Sequence, residues 1–343
     1  MSDAERWALG RARELASLAA GRTSPNPLVG AVVLVGDKAV GEGWHEGPGL
    51  PHAEVMALRA TGAKARGATV VCTLEPCSHH GRTPPCTDAL IAAGVRRVVI
   101  GCLDPLERSR AQGVGVLEAA GIEVAVADGP DELACREMNH GFITWAVTGR
   151  PSVTLKLATS LDGKIATSTG ESRWITGSAA RALVHTWRAE QDAVMVGIGT
   201  ALADDPELTA RDLGQDVAQP VRVVVDSHAR LALTSKLVRS AGEIPVVVLA
   251  SSRAPESRVE ALRDVGVAVL TAGDGERVDL DVATALLAER GILSVLVEGG
   301  AELAGALVAA GRVDRIAWFF GTDADRGRGR AGRDRRARPH TTC

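Results

Sequence analysis

Five short runs in the second half of the chain limit its fold more than any other feature: "DAVMVGIGT" (192–200), "VRVVVDS" (221–227), "IPVVVLASS" (244–252), "VAVLTAGD" (267–274) and "ILSVLVEGG" (292–300). Each is rich in strand formers and is closed by small or polar residues. Most are separated by helix-like or loop segments. That alternation describes a parallel or mostly parallel sheet covered by helices. The first half keeps the same rhythm. "LVGAVVLVGDKAVGEGWH" (28–45) predicts two strands joined by a Gly-Asp turn, and "AEVMALRATG" (53–62) a helix ending at glycine. "ATVVCTLEP" (68–76) predicts a strand stopped by proline, "CTDALIAAG" (86–94) a short helix, and "VRRVVIGCLDP" (95–105) another buried strand. The expected fold class is α/β throughout.

The 343 residues suit two domains, and 45% hydrophobic content lets each bury a core. Gly149, Arg150 and Pro151 interrupt the pattern, so the expected domains are 1–147 and 150–320. Residues 321–343 carry seven arginines and no large aliphatic side chain, which predicts a disordered tail. At the N-terminus, Ala8, Ala12, Leu15 and Ala19 fall on one face of an amphipathic helix that lacks the apolar centre of a signal peptide. No apolar run approaches the roughly 18 residues of a membrane span. Net charge is −3, which gives no pull toward nucleic acid or anionic lipid. A cytoplasmic enzyme is expected, and there six cysteines do not form a disulfide framework.

Three of those cysteines lie in "CTLEPCSHHGRTPPC" (72–86). His52 opens one predicted helix, Cys77 follows a strand and Cys86 opens another helix. One imidazole and two thiolates suit Zn²⁺ and leave a fourth position for water, the arrangement of a catalytic site. Glu54, two residues after His52, has the role of proton shuttle in zinc-deaminase chemistry. A closed structural zinc knot is the competing arrangement. Cys72, Cys102 and Cys135 read as core residues. His79 and His80 read equally as solvated loop or substrate contacts.

Eight residues separate Cys77 from Cys86, where general nucleotide deaminases show a PCxxC pattern. With "SPNPLVGAVV", "HAEVMAL", "TLEPCSHHGRTPPC" and "AGVRRVVIGCLDP", the first half resembles the deaminase part of the bifunctional bacterial deaminase/reductases of riboflavin biosynthesis. The resemblance implies a cytidine-deaminase-like three-layer domain, one zinc ion, and Asn26 holding the pyrimidine. It continues through "VTLKLATSLDGKIA", "GESRWITG", "VHTWRAEQDAVMVGIGTALADDPELTAR", "RVVVDS" and "LVEGGAELAGAL". That part implies a dihydrofolate-reductase-like α/β domain using NADPH. The Gly-Gly turn of the last stretch opens a helix whose backbone amides suit phosphate, although it is not a dinucleotide GxGxxG fingerprint.

By the same resemblance, Ala158, Trp174, Thr200, Asp204, Ser227 and Gly300, Ala301, Glu302, Leu303, Ala304, Gly305 and Ala306 contact NADPH. Ser172, Arg188, Leu208, Arg211 and Glu298 contact the substrate, with the two arginines suited to a phosphate monoester. Lys156 is a further candidate near the ribose. Asp204 is the first carboxylate to test as a proton donor. The implied partner is a small phosphoribosyl-pyrimidine, and the implied assembly is a homo-oligomer.

The chain departs from the family twice. After Asp104-Pro105 the family continues Asn-Pro and a Gly-rich turn, whereas this chain reads "LERSRAQG" (106–113). After "VDRIAWFF" (313–320) the family runs into a further apolar strand, and here the arginine-rich tail begins. Both read as a change of reading frame, brief in the first case and lasting in the second. Two other functions fit such a chain: a deaminase whose reductase half is impaired, and a non-catalytic ligand-binding protein that keeps the folds.

Overall fold

The computed structural model describes residues 1–81, 83–107, 109–160, 177–214 and 217–321. The first layer of elements runs α1 (Asp3–Ser17), β1 (Gly30–Val35), β2 (Lys38–Trp44), α2 (Ala53–Thr61), β3 (Thr69–Cys72), α3 (Cys86–Ala93), β4 (Arg97–Ile100), α4 (Gln112–Ala119), β5 (Glu123–Val126), α5 (Gly129–Met138) and α6 (His140–Thr148). Its five strands lie in the order β2-β1-β3-β4-β5. The sheet is mixed, which corrects the expectation of a mostly parallel one. β1 is antiparallel to both β2 and β3, and only β3, β4 and β5 run parallel. The Gly36-Asp37 turn is too short for the crossover that parallel pairing needs.

Alternation along β1 splits the core in two. Ala31 and Val33 pack with Ala53 and Ala57 of α2, Leu90 of α3 and Leu117 of α4. Val32 and Leu34 pack with Ala8, Leu9, Ala12 and Leu15 of α1 and Cys135 of α5. Helices therefore cover both faces, giving three layers. α1 stops at Ser17, short of the expected Ala19, which is nevertheless buried. Cys72, Cys102 and Cys135 are core residues as expected.

The position of α2 depends on two glycines of β2. A Cβ on Gly41 would fall 2.0 Å from Thr61 Oγ1, and one on Gly43 would fall 2.4 Å from the Ala57 nitrogen. Backbone meets backbone there with no room for a side chain. This close seat fixes the helix that begins with His52 and Glu54.

The second set comprises β6 (Ser152–Ser160), α7 (Ser178–Glu190), β7 (Ala193–Gly197), α8 (Ile198–Asp204), β8 (Val221–Val225), α9 (Lys236–Arg239), β9 (Val246–Ala250), α10 (Glu256–Asp264), β10 (Ala268–Thr271), α11 (Leu280–Glu289), β11 (Ser294–Val297), α12 (Ala301–Ala309) and β12 (Arg315–Gly321). Among the described residues, seven strands in the order β10-β9-β8-β7-β11-β6-β12 pair in parallel throughout, as the valine-rich runs predict. Their two faces carry separate clusters, one under α8, α9 and α10 and one under α11 and α12. β12 pairs with β6 and has no other neighbour among the described residues. Asp314 ties the starts of these two strands together. It accepts two hydrogen bonds from Arg150 (2.6 and 2.7 Å) and one from the Val153 N–H (2.8 Å).

Candidate active site

His52 is the N-cap of α2, Cys86 is the first residue of α3, and Cys77 lies in the loop after β3. Their ligand atoms lie within 4.8 Å of one another. His52 Nδ1 is 3.2 Å from Cys86 Sγ and 3.5 Å from Cys77 Sγ. His52 Nε2 is 3.2 Å from Thr83 Oγ1, so a proton on Nε2 directs the Nδ1 lone pair at the sulfurs.

The sulfurs are electrostatically unlike. A hydrogen bond from Cys86, opposed by burial and aided by His52 and the Cys86 backbone N–H (3.3 Å), holds the Cys77 thiol at about 4. The Cys77 sulfur and burial push Cys86 up. Beside one thiolate a second is disfavoured, and a dication at the convergence point removes that conflict. The donor set therefore fits zinc. His52 is raised, chiefly by its bond to Cys77 against the effect of burial.

Glu54 is buried, 3% exposed, one helical step inside α2. Burial raises its pKa, and Oε2 has no hydrogen-bond partner among the described residues. A sequestered carboxyl with a free oxygen suits a group that takes up and returns a proton.

Two neighbours of this site escaped the sequence. His45, at the end of the β1–β2 hairpin, packs edge-on to His52 with ring centroids 5.3 Å apart. Its Nε2 is 2.9 Å from Asn26 Nδ2, and its Nδ1 is 3.2 Å from the Pro51 carbonyl oxygen. Burial holds His45 below its ordinary value. Asn26 thus reaches the zinc-side cluster through a histidine that sequence position alone does not mark. Glu75 also went unremarked, although it precedes Pro76-Cys77. Its buried carboxylate accepts backbone N–H groups from Asp104 (3.0 Å), Ala111 (3.0 Å), Gly113 (2.9 Å) and Val114 (3.4 Å). The departing stretch 106–113 is anchored at both ends by this one side chain. His79 and His80 are exposed.

The second site is a cavity of about 920 Å³ at the C-terminal ends of the parallel strands. Of the residues expected at NADPH, Ala158, Thr200, Asp204, Ser227, Gly300, Ala301, Glu302, Leu303 and Ala306 line it. Ala304 and Gly305 do not. Ala304 packs into the core under α12, and Gly305 is on the helix's exposed side. Trp174 and Ser172 lie outside the described residues. The Gly299-Gly300 turn meets the cavity at the start of α12, where Thr200 Oγ1 accepts the Gly300 N–H at 3.2 Å. A Cβ on Gly299 would press on Leu303 at 3.0 Å. A bare backbone turn at a helix start, opening into a cavity of this size, fits a phosphate-bearing cofactor.

Of the residues expected at the substrate, Arg188, Leu208 and Glu298 line the cavity, as does Lys156. Leu208 holds a left-handed backbone (φ 55°) there, a strained conformation for a branched residue. Arg188 donates to both oxygens of Glu298 (2.6 and 3.0 Å) and to the Thr209 carbonyl (3.0 Å). Lys156 Nζ is 4.0 Å from the same carboxylate. Arg211 does not line the cavity; it is exposed and paired with Glu207.

A three-layer domain with a His-Cys-Cys centre and buried glutamate, followed by a parallel α/β domain with a cofactor-sized cavity, defines a two-site enzyme joining a deaminase to a reductase. The family model "Cytidine and deoxycytidylate deaminase zinc-binding region" matches residues 2–102, and "RibD C-terminal domain" matches residues 151–321. Riboflavin biosynthesis protein RibD of Aquifex aeolicus (strain VF5) is 44% identical over 309 residues, covering 90% of this chain and 84% of the relative. RibD of Escherichia coli (strain K12) is 42% identical over 323 residues, covering 91% and 86%. The solved structure of Acinetobacter baumannii RibD superposes with a TM-score of 0.83 at 41% identity, covering 93% of this chain and 87% of that one. A diaminohydroxyphosphoribosylaminopyrimidine deaminase/5-amino-6-(5-phosphoribosylamino)uracil reductase from Thermotoga maritima gives 0.82 at 38% identity with the same coverage. The chain belongs to the RibD family of riboflavin biosynthesis proteins. It is a bifunctional enzyme with a zinc-dependent deaminase half and an NADPH-dependent reductase half.

Proposed function

We propose that the chain carries out two consecutive steps on one phosphoribosyl-pyrimidine and that the residues above divide the work. In the first, water replaces the 2-amino group of 2,5-diamino-6-(5-phosphoribosylamino)pyrimidin-4(3H)-one, giving 5-amino-6-(5-phosphoribosylamino)uracil and ammonia. In the second, the ribosyl side chain is reduced to ribityl. The observation that carries this proposal is the convergence of His52, Cys77 and Cys86 within 4.8 Å beside a buried Glu54.

Zinc held by those three residues supplies a Lewis acid and a water acidified toward neutral pH. Glu54 accepts one proton of the attacking water at Oε2 and passes it to the ring nitrogen, then carries the second, from the hydroxyl added to the ring carbon, to the amine that leaves as ammonia. Asn26 and the buried His45 form the polar wall that orients the pyrimidine. NADPH supplies the hydride of the second step. Thr200, Ser227 and the Gly299-Gly300 turn bind the cofactor, and Asp204 is the proton donor to test. Glu298, held rigid by Arg188, faces the sugar. Arg211 reaches the substrate phosphate by releasing Glu207, an exposed pair that contributes about 0–1 kcal/mol.

The division into 1–147 and 150–320 follows the break between α6 and β6. Ile316, Trp318 and Phe320, all exposed on one face of β12, support assembly into a homo-oligomer. The five cysteines among the described residues form no disulfide, which supports a reducing, cytoplasmic setting. No helix among the described residues is long and apolar enough to cross a membrane. A paired assay on the purified chain, following ammonia release and NADPH oxidation separately with the diaminopyrimidine ribotide, tests both halves. Signals in both channels are expected. Ammonia without NADPH oxidation would refute the second half alone, and silence in both with zinc bound would refute the whole.

A further inference from the structure

The turn Thr23-Ser24-Pro25-Asn26-Pro27-Leu28 carries Asn26 but has little structure of its own. Its internal backbone bond runs from the Asn26 N–H to the Thr23 carbonyl (2.7 Å). Fixation comes from a residue 111 positions away. Leu28 N–H donates to Asn139 Oδ1 (2.8 Å), and Asn139 Nδ2 donates to the Leu28 carbonyl (2.9 Å). Asn139 is 3% exposed and sits at the junction of α5 and α6. One side-chain amide therefore closes a two-bond ring on one residue's peptide groups. This requires a donor and an acceptor on the same short side chain. The next residue continues the constraint, since the Val29 carbonyl accepts the His45 N–H (2.9 Å) and His45 Nε2 meets Asn26 Nδ2.

We propose that Asn139 is a positioning residue of the deaminase: it fixes the Asn26 turn against His45 and so sets the affinity for the pyrimidine without touching it. This rests on the assignment of Asn26 to the substrate. The two bonds to Leu28 leave the Asn26 side chain free to face His45 and the ring. Asn139 also stands where the chain leaves the deaminase half. A Cβ on the neighbouring Gly141 would fall 3.2 Å from the Leu293 carbonyl oxygen of the reductase half. The turn is therefore gripped at the point where the two halves meet.

The test uses the full chain with zinc and compares Asn139→Ala, Asn139→Asp, Asn26→Ala and the double variant Asn26→Ala/Asn139→Ala. Asn139→Asp keeps the volume and the acceptor but loses the donor, so it covers the case in which alanine fails to fold. Ammonia release from the diaminopyrimidine ribotide should show KM raised about tenfold in both Asn139 variants, equivalent to about 1.4 kcal/mol. The rate at saturation and the zinc content should stay near wild type. NADPH oxidation with the aminouracil ribotide should be unchanged. In the Asn26→Ala background, removing Asn139 should add less than twofold, because the group it positions is already gone. An equal tenfold effect in both backgrounds, or a parallel fall of both activities with thermal stability, would overturn the proposal and leave Asn139 a fold residue. A wild-type KM in Asn26→Ala would instead remove Asn26 from the substrate, and the proposal with it.

Discussion

Replacing Glu54 by glutamine separates proton transfer from architecture. Glutamine has nearly the same shape, so α2 and the three zinc ligands keep their places. It cannot shuttle a proton. A positioned acid–base group contributes about 10²–10⁴-fold to rate. The upper end applies here, because the same carboxyl serves water, ring nitrogen and leaving amine in turn. Its Oε2 also has no partner among the described residues that could relay in its stead. A loss of about 10⁴-fold corresponds to about 5.4 kcal/mol of barrier. Stability should move the other way or not at all. A buried polar atom without a partner costs about 1–3 kcal/mol, and the neutral amide is the cheaper group to bury. Steady-state ammonia release, zinc stoichiometry and thermal denaturation measured on one preparation give all three readouts. Deamination within tenfold of wild type would refute the proton-shuttle assignment. Activity lost together with zinc would show that Glu54 supports the metal site and does not move protons.

Gly43→Ala should lower stability by about 2–3 kcal/mol and reduce zinc content, since the new Cβ would displace the helix bearing His52; thermal denaturation and metal analysis check both. Glu75→Ala should cost at least about 3 kcal/mol by orphaning four backbone N–H groups, with hydrogen-exchange protection lost selectively over 104–114. Asp314 is pushed up by burial but held lower overall by its bonds from Arg150 and the Val153 N–H. Its folded pKa lies below the unfolded one, so its contribution is present above about pH 4 and fades as pH falls through the folded value. Asp314→Asn should therefore be less stable than wild type at pH 7 and show a shallower loss of stability below pH 4; parallel acid titrations would contradict this.

The valine-rich runs of the second half were legible because strands buried on both faces need no polar alternation. The cluster of His52, Cys77 and Cys86 was legible because these residues sit beside helix starts and a strand end that glycine and proline already punctuate. The mixed sheet of the first half was less so, since period and composition do not reveal strand direction. Arg222 shows a further limit. An arginine inside "VRVVVDS" reads as a surface charge, yet it is 0% exposed. Its two terminal nitrogens donate to Ser240 Oγ (2.6 Å), the Ser240 carbonyl (3.0 Å) and the Ile244 carbonyl, partners whose proximity only the fold creates, while Nε has no partner among the described residues. Most residues expected at the cofactor and substrate line one cavity, but the Arg188–Glu298 pairing within it was not legible, because two residues 110 positions apart carry no local signal of contact.

Glu75 has a consequence for how this protein can change. A carboxylate that grips peptide N–H groups reads the path of the chain and is blind to its side chains. The stretch from 104 to 114 can therefore exchange many residues and still be held, provided no proline removes a donor at 104, 111, 113 or 114 and position 113 stays glycine, since a Cβ there would fall 2.2 Å from the Pro76 carbonyl oxygen. A sequence as foreign to the family as "LERSRAQG" meets both conditions, because it keeps Gly113 and places no proline at a donor position, so the path of the chain survives while its side chains change.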